Sequence, residues 1–223
     1  VTISVVNQTQ GTATSGITFF VSSPSPSLGD LILALQVTAG TSSPQVAPSG
    51  FSSFDSLIFN SAGSILQVFT KTATGAEPGS YTFNNSPGSG SAVIIFDIQN
   101  SSTTPDGVTN HATGNTSTPT SGSLNVSPNE LTISAVALAV QATMTGNDAG
   151  WFFDGATPQV TAASLNFEYR VNAPSPVSGL SWSTGSGTSK PWAVLTLSIS
   201  PSGGGGSIAV EEEPWVANFQ TWW

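Results

Sequence analysis

The chain has no cysteine, a single histidine (His111), a single methionine (Met144) and only three basic residues, Lys71, Arg170 and Lys190, among 223. Without cysteine there is no disulfide and no thiolate metal site. The compartment stays open, because oxidising surroundings permit disulfides without requiring them. Three cations against twelve carboxylates give a net charge of −9, too few basic contacts for a nucleic-acid backbone or an anionic membrane surface. No apolar run reaches the ~18 residues that a membrane-spanning helix requires. The opening residues, 1–6, lack the basic segment and cleavage motif of a signal peptide. Charged residues make up 7% of the chain, where roughly a quarter is usual. Serine, threonine, glycine, asparagine and proline take their place. They predict a neutral, hydrogen-bonding exterior of the kind found on secreted, cell-surface and virion proteins.

Helix signals are equally scarce, since glycine or proline interrupts nearly every window. What is present is a series of short runs rich in Val, Ile, Leu, Phe and Thr, separated by Ser/Gly/Pro/Asn clusters. This predicts an all-β protein, a single antiparallel, jelly-roll-like β-sandwich. Strands are expected at 1–6, 17–21, 31–38, 65–72, 81–84, 92–99, 131–141, 165–171, 180–183 and 192–200. Runs 65–72 and 192–199 alternate apolar and polar residues, which predicts one buried and one solvated face. Runs 93–96 and 131–140 are more continuously apolar and are expected centrally, covered on both sides. Prolines fall between these runs or at their ends, as the missing N–H requires. The polar stretch 100–122 reads as a crossing connection with a short strand near 108–112. One domain, 1–200, is expected, then a glycine-rich spacer, 201–206, and an arm, 207–223.

Several motifs recur in a familiar order: Leu28-Gly29-Asp30-Leu31-Ile32-Leu33-Ala34, Ala47-Pro48-Ser49-Gly50-Phe51, Gln67-Val68-Phe69-Thr70-Lys71-Thr72-Ala73 and Glu77-Pro78-Gly79-Ser80-Tyr81-Thr82-Phe83. Ala92–Asp97, Asn129-Glu130-Leu131 and a closing apolar strand at 192–199 continue the series. Over about residues 15–200 this resembles a group of β-sandwich proteins frequent in bacteriophage and bacterial genomes. Phe51 stands where that pattern usually has tryptophan. The resemblance implies a virion or surface protein and assigns no activity. In physical terms the motifs specify turns: Gly29-Asp30, Pro48-Ser49-Gly50 and Glu77-Pro78-Gly79.

No constellation points to catalysis, and the chain is not expected to be an enzyme. His111, with Asp106 five residues earlier, lacks a strained nucleophile turn and reads as a loop histidine. Asp148 and Asp154 flank Gly150-Trp151-Phe152-Phe153. Carboxylates around aromatics suggest a sugar platform, with Trp182 as a further stacking residue, or a loop whose Trp151 and Phe152 pack on the sandwich edge. Glu168 and Arg170, two apart on one strand, are expected on the same side. No calcium loop of the D-x-D-x-D-G kind and no phosphate-cradling loop is present, so neither metal nor cofactor is expected.

The arm is the segment whose chemistry calls for a partner. Glu211, Glu212 and Glu213 precede Trp215, Phe219, Trp222 and Trp223, so three of the six tryptophans lie in the last nine residues. The i, i+4, i+7, i+8 spacing puts these aromatics on one face of a short helix, suited to a groove and to interface anchoring. Docking on its own sandwich, docking on another chain and disorder remain open, with intermolecular docking preferred. The expected partners are other virion proteins, of capsid or tail, or further copies of the chain repeated in an assembly. The expected role is a structural virion component that decorates or cements a capsid, or sits on a tail. A carbohydrate- or receptor-binding module, or a subunit of an extracellular filament on a bacterial surface, are the alternatives.

Overall fold

In the computed structural model the described residues run from 2 to 203, apart from 62, 87–89, 108, 147, 154–157, 161 and 186. The last spacer glycines and the whole arm, with Glu211, Glu212, Glu213, Trp215, Phe219, Trp222 and Trp223, lie outside the described residues, as does Asp154.

The protein is all-β, as its composition predicts, and its sheets are antiparallel. The first half contributes β1 (Ser4–Ala13), β2 (Thr18–Ser22), β3 (Leu31–Ala39), β4 (Ser52–Phe59), β5 (Ser64–Thr72), β6 (Ser80–Asn84) and β7 (Ser91–Gln99). The second contributes β8 (Thr109–Thr116), β9 (Leu131–Leu138), β10 (Met144–Gly146), β11 (Phe152–Phe153), β12 (Gln159–Val160), β13 (Ala163–Val171), β14 (Trp182–Thr184) and β15 (Lys190–Ile199). Two large sheets result, with strand orders β1-β7-β3-β5-β4 and β11-β13-β9-β15-β8, β12 also pairing with β13. They stack face to face around a shared core. Leu31, Leu33, Leu35 and Val37 of β3 and Ile94, Phe96 and Ile98 of β7 meet Leu131 and Ile133 of β9, Leu165 and Phe167 of β13 and Leu195 and Leu197 of β15.

Each large sheet is also covered on its outer face. The β2–β6 ribbon lays Phe19, Val21, Tyr81 and Phe83 over Ile32, Ala34, Phe69, Val93 and Ile95. On the opposite side Leu124, Met144, Val177, Leu180 and Trp182 cover Val136, Leu138 and Val194. The one-sided burial predicted for runs 65–72 and 192–199 is therefore overturned. β5 is buried from Ser64 to Thr70 and β15 from Trp192 to Ile199, because the outer layers exclude water from the face that alternation assigns to solvent. The two runs expected to be central, in β7 and β9, are buried on both faces.

The two halves repeat one plan. β1 pairs with β7 as β8 pairs with β15; β3 lies between β5 and β7 as β9 lies between β13 and β15; β4 pairs with β5 as β11 pairs with β13. Ladder registers give the equivalence residue by residue: Leu31 faces Thr72 and Ile98, and Leu131 faces Val171 and Ile199. Turn chemistry repeats as well. Ser27 N–H donates to Asp30 Oδ2 at 2.7 Å and Ser127 N–H to Glu130 Oε2 at 2.8 Å. Phe51 N–H reaches Pro48 O, and Trp151 N–H reaches Asp148 O. Gly50 and Gly150 occupy the left-handed region at φ 81° and 82°, each with a cation beside it. Lys71 Cε lies 3.2 Å from where a Cβ on Gly50 would stand, and Arg170 Nη1 3.0 Å from the same point on Gly150.

Because the two repeats bury their inner faces against each other, they should unfold together. Leu33→Ala should cost ~2–5 kcal/mol while calorimetric unfolding keeps a single transition. Separate transitions for the two halves would show that the shared core does not couple them.

Candidate functional site

Among the described residues, the sequence-derived sugar platform does not assemble. Trp182 is fully buried in the outer core of the second half, so it offers no face to a ligand. Trp151 is partly buried against the same core. Asp148 is engaged in the turn, its Oδ2 accepting from Ser181 N–H at 2.7 Å. The side chain that emerges from this loop is the next one along, Phe152, which is 49% exposed. Consecutive residues of an extended segment point to opposite sides, so burying Trp151 turns Phe152 outward. Glu168 and Arg170 do share a face by strand alternation. The Glu168 carboxylate is buried beneath Gly146, which leaves it room, and the Arg170 guanidinium lies at Gly150.

His111 stands in a strand, β8, not in a loop. Its Nε2 meets Asp55 Oδ2 of β4 at 2.8 Å, tying the edge of one large sheet to the edge of the other. Asp106, its sequence-derived companion, instead accepts from the hydroxyls of Ser198 and Ser200 at 3.0 and 2.8 Å. The histidine and aspartate of a hypothetical triad thus serve separate structural contacts.

Two carboxylate clusters sit at the covered end of the first half. Glu77 pairs with Lys71 and accepts from Thr74 N–H, Thr74 Oγ1 and Tyr81 OH, at 2.8, 3.0 and 2.8 Å. The Lys71 ammonium also lies 5.9 and 5.3 Å from the ring centroids of Phe51 and Tyr81. Burial alone would raise the Glu77 pKa. The Lys71 contact and the other hydrogen bonds outweigh it and hold the group at about 2. Burial, with the charge of Glu77 nearby, raises the Tyr81 phenol above its ordinary range. The second cluster is Asp30 with Asp97. Asp97 is 2% exposed, and its Oδ1 has no hydrogen-bond partner among the described residues. Burial, and then the neighbouring Asp30 carboxylate, push it up to about 7. The equivalent position in the second half is Ser198, facing Thr132 as Asp97 faces Ile32.

Where the edge of β1 meets β11 and β13, the described residues form a groove. Val5, Val6, Asn7, Gln8, Phe152 and Tyr169 line a cavity of about 210 Å³. Gln8 also borders a second cavity of about 120 Å³, lined by Thr9, Gln10, Ile94 and Phe167. The β1 ladder shifts register between Val5 and Asn7, a bulge that leaves Val6 51% exposed. Nothing in the sequence marks β1 as the partner of residues near 152 and 169, so the groove is legible only once the sheets are stacked.

Asp97 gives a signed pH dependence. A carboxyl whose folded pKa lies above its unfolded value stabilises fully below about 3.8 and loses that contribution as pH rises through about 7. Asp97→Asn should therefore gain stability relative to the parent between pH 5 and 8, read as urea midpoints. A constant difference across that range would refute the assignment. Glu77 has the opposite sign. Its contribution holds above about 4.5 and is lost as pH falls towards about 2, so Glu77→Gln should cost stability at pH 7 and progressively less in acid.

Comparison with known proteins returns no match among family models, among curated proteins or among solved structures.

Proposed function

We propose that this chain is a structural component of a bacteriophage particle, a surface module attached to capsid or tail through residues 207–223. The arrangement of residues 200–203 carries this reading. β15 is hydrogen-bonded on both sides, to β8 and to β9. Beyond it Ser102 N–H donates to Ser200 O and Ser202 N–H to Asn100 O, both at 2.7 Å, and Pro201 bridges to Ser101. Asn100 Nδ2 in turn reaches Thr2 O. Tension applied beyond residue 203 would therefore be transmitted to an interior strand, paired along its length, and not to an edge that peels. A tether needs this mechanical property; a loose tail does not.

Two further features support the reading. The motif series resembles β-sandwich proteins common in phage genomes. The chain is sparse in charge and rich in serine and threonine, suited to a module that faces solvent. The mechanism is attachment in many copies. The aromatics Trp215, Phe219, Trp222 and Trp223 anchor each copy, the acidic triplet Glu211–Glu213 meets basic groups on the partner, and repetition converts modest single-site affinity into stable occupancy.

Removing residues 207–223 should leave a folded sandwich whose unfolding midpoint matches the full chain, and that sandwich should fail to join particles assembled in its presence. Undiminished incorporation of the truncated protein, measured by quantitative mass spectrometry of purified particles, would overturn the proposal.

A further inference from the structure

We propose that the groove between β1 and β11/β13 is a binding site for a neutral sugar ring. One wall is a ladder of aromatic side chains running from solvent into the core. Phe152 lies over Tyr169 with centroids 4.7 Å apart and planes tilted by 32°. Tyr169 stacks on Phe167 at 6.1 Å and 10°, and Phe167 meets Phe96 edge-on at 4.7 Å. The outermost ring keeps half its surface in water, while the rings behind hold it in place. The other wall is β1, residues 7–10 across the two adjoining cavities. Gln8 and Gln10, opposite Phe96 and Ile94, point to the inner side, while Asn7 Nδ2 donates to Pro24 O and Thr9 Oγ1 to Ser22 O on the β2 side. The two glutamines carry amides, donors and acceptors without charge.

An aromatic face beside two glutamine amides matches a pyranose, whose C–H face packs on a ring while its hydroxyls exchange paired hydrogen bonds. Among the described residues no charged side chain borders either cavity, so the match is to a neutral sugar. The dimensions suit one or two sugar residues, below the usual size of a drug-like site, roughly 300–1,000 Å³.

The internal repeat supplies a control. If the ladder were needed to fold this architecture, the first half would have it too. By ladder register, Phe152 and Tyr169 correspond to Ser52 and Thr70, and Phe167 to Val68. The first half therefore builds the same sheet without the rings. At the corresponding edge the His111–Asp55 contact joins β8 to β4, beside a cavity of about 230 Å³ lined by Asn60, Ser61, Gly114, Asn115 and Trp192 among others. Both edges leave a cavity, and the difference lies in its lining: a polar pair bridges the sheets at one edge, and a stack of rings stands at the other. Val6, pushed outward by the bulge in β1, lines the aromatic edge.

The full chain, uniformly labelled with ¹⁵N, should be titrated with glucose, galactose, mannose, N-acetylglucosamine and their β-linked disaccharides, one at a time. At least one should produce saturable shifts in the backbone amides of Asn7, Gln8, Phe152 and Tyr169. Phe152→Ala should weaken that sugar by about tenfold or more, ~1.4 kcal/mol. Phe152→Leu, which keeps apolar cover and loses the ring, should weaken it comparably with an unchanged unfolding midpoint. Phe20→Ala, at an aromatic residue 73% exposed on the β2–β6 ribbon, should bind as the parent does. Absence of saturable shifts with every sugar, or affinity indifferent to both Phe152 substitutions, overturns the site. Shifts at these amides that depend on protein concentration, ignore sugar and vanish on deleting residues 207–223 would also overturn it, and would assign the groove to the arm of another copy. Loss of particle attachment on that deletion with sugar binding intact separates this site from the proposed tether.

Discussion

Covering both faces of both large sheets is the constraint from which the rest of this structure follows. A strand exposed on one side can carry charge there; a strand covered on both carries an ionisable group only where it is paired or neutralised, as with Asp97 of β7. The inner faces obey this with apolar residues throughout β3, β7, β9 and β15. The outer faces admit polar residues that satisfy one another. Gln36 Nε2 donates to Thr38 Oγ1 and to Asn84 O, Thr38 bonds Ser91, and Ser91 donates to Asn85 Oδ1 at 2.7 Å. Ser134 and Thr196 do the same across β9 and β15 at 2.7 Å. Much of the scarcity of charge therefore belongs to the interior of a layered protein and not to its surface alone.

Duplication separates what this architecture requires from what each half has added. Both halves keep an acid at the entry to the central strand, Asp30 or Glu130, whose carboxylate binds the backbone three residues earlier and closes the turn. Both keep a left-handed glycine, Gly50 or Gly150, followed by an aromatic residue that turns inward. Other positions diverge in chemical type. Phe69 is replaced by the buried Glu168, Asp97 by Ser198, and Ser52 by Phe152. Substitutions of that kind survive in one repeat while the other shows the fold manages without them. They are the natural places to look for properties that belong to function.

The all-β class, the central position of β7 and β9 and most strand positions were legible in the chain, because apolar periodicity and proline placement report directly on strands. β4 was not, since Ser52-Ser53-Phe54-Asp55-Ser56 has too few apolar residues to stand out; it is an edge strand, held by β5 on one side only. The two-sided burial of β5 and β15 was misread, because alternation records which face is more apolar and not whether another layer covers the lesser one. The repeat is not legible in the chain, because it resides in turn geometry and ladder register, where Asp30 and Glu130 or Lys71 and Arg170 are equivalent without being identical. At the site, residues 151–153 fit two readings from sequence, a sugar platform or a loop packed on the sandwich edge; Trp151 packs inward, as the second has it, while Phe152 stays half exposed and Trp182 is buried. Tryptophan gains the most from burial, so where a loop offers Trp and Phe in succession the tryptophan goes inward and the phenylalanine is left to meet solvent.

The two edges of the sandwich carry this reasoning one step further. Stacked sheets leave a seam on each side, and an open seam is a place where another chain or a ligand can enter. At the β4/β8 seam a carboxylate and an imidazole from different sheets meet beside a cavity of about 230 Å³, and the bulge between Ser53 and Asp55 bends the edge strand there. At the β1/β11 seam the strand also bulges, and Val6, Phe152 and Tyr169 line the rim with no ion pair across it among the described residues. Both seams leave a cavity, so the chemistry of the lining is what distinguishes them. The β1/β11 seam joins an exposed ring to the uncharged amides of Gln8 and Gln10, an apolar face beside paired donors and acceptors, which is the complement of a sugar ring.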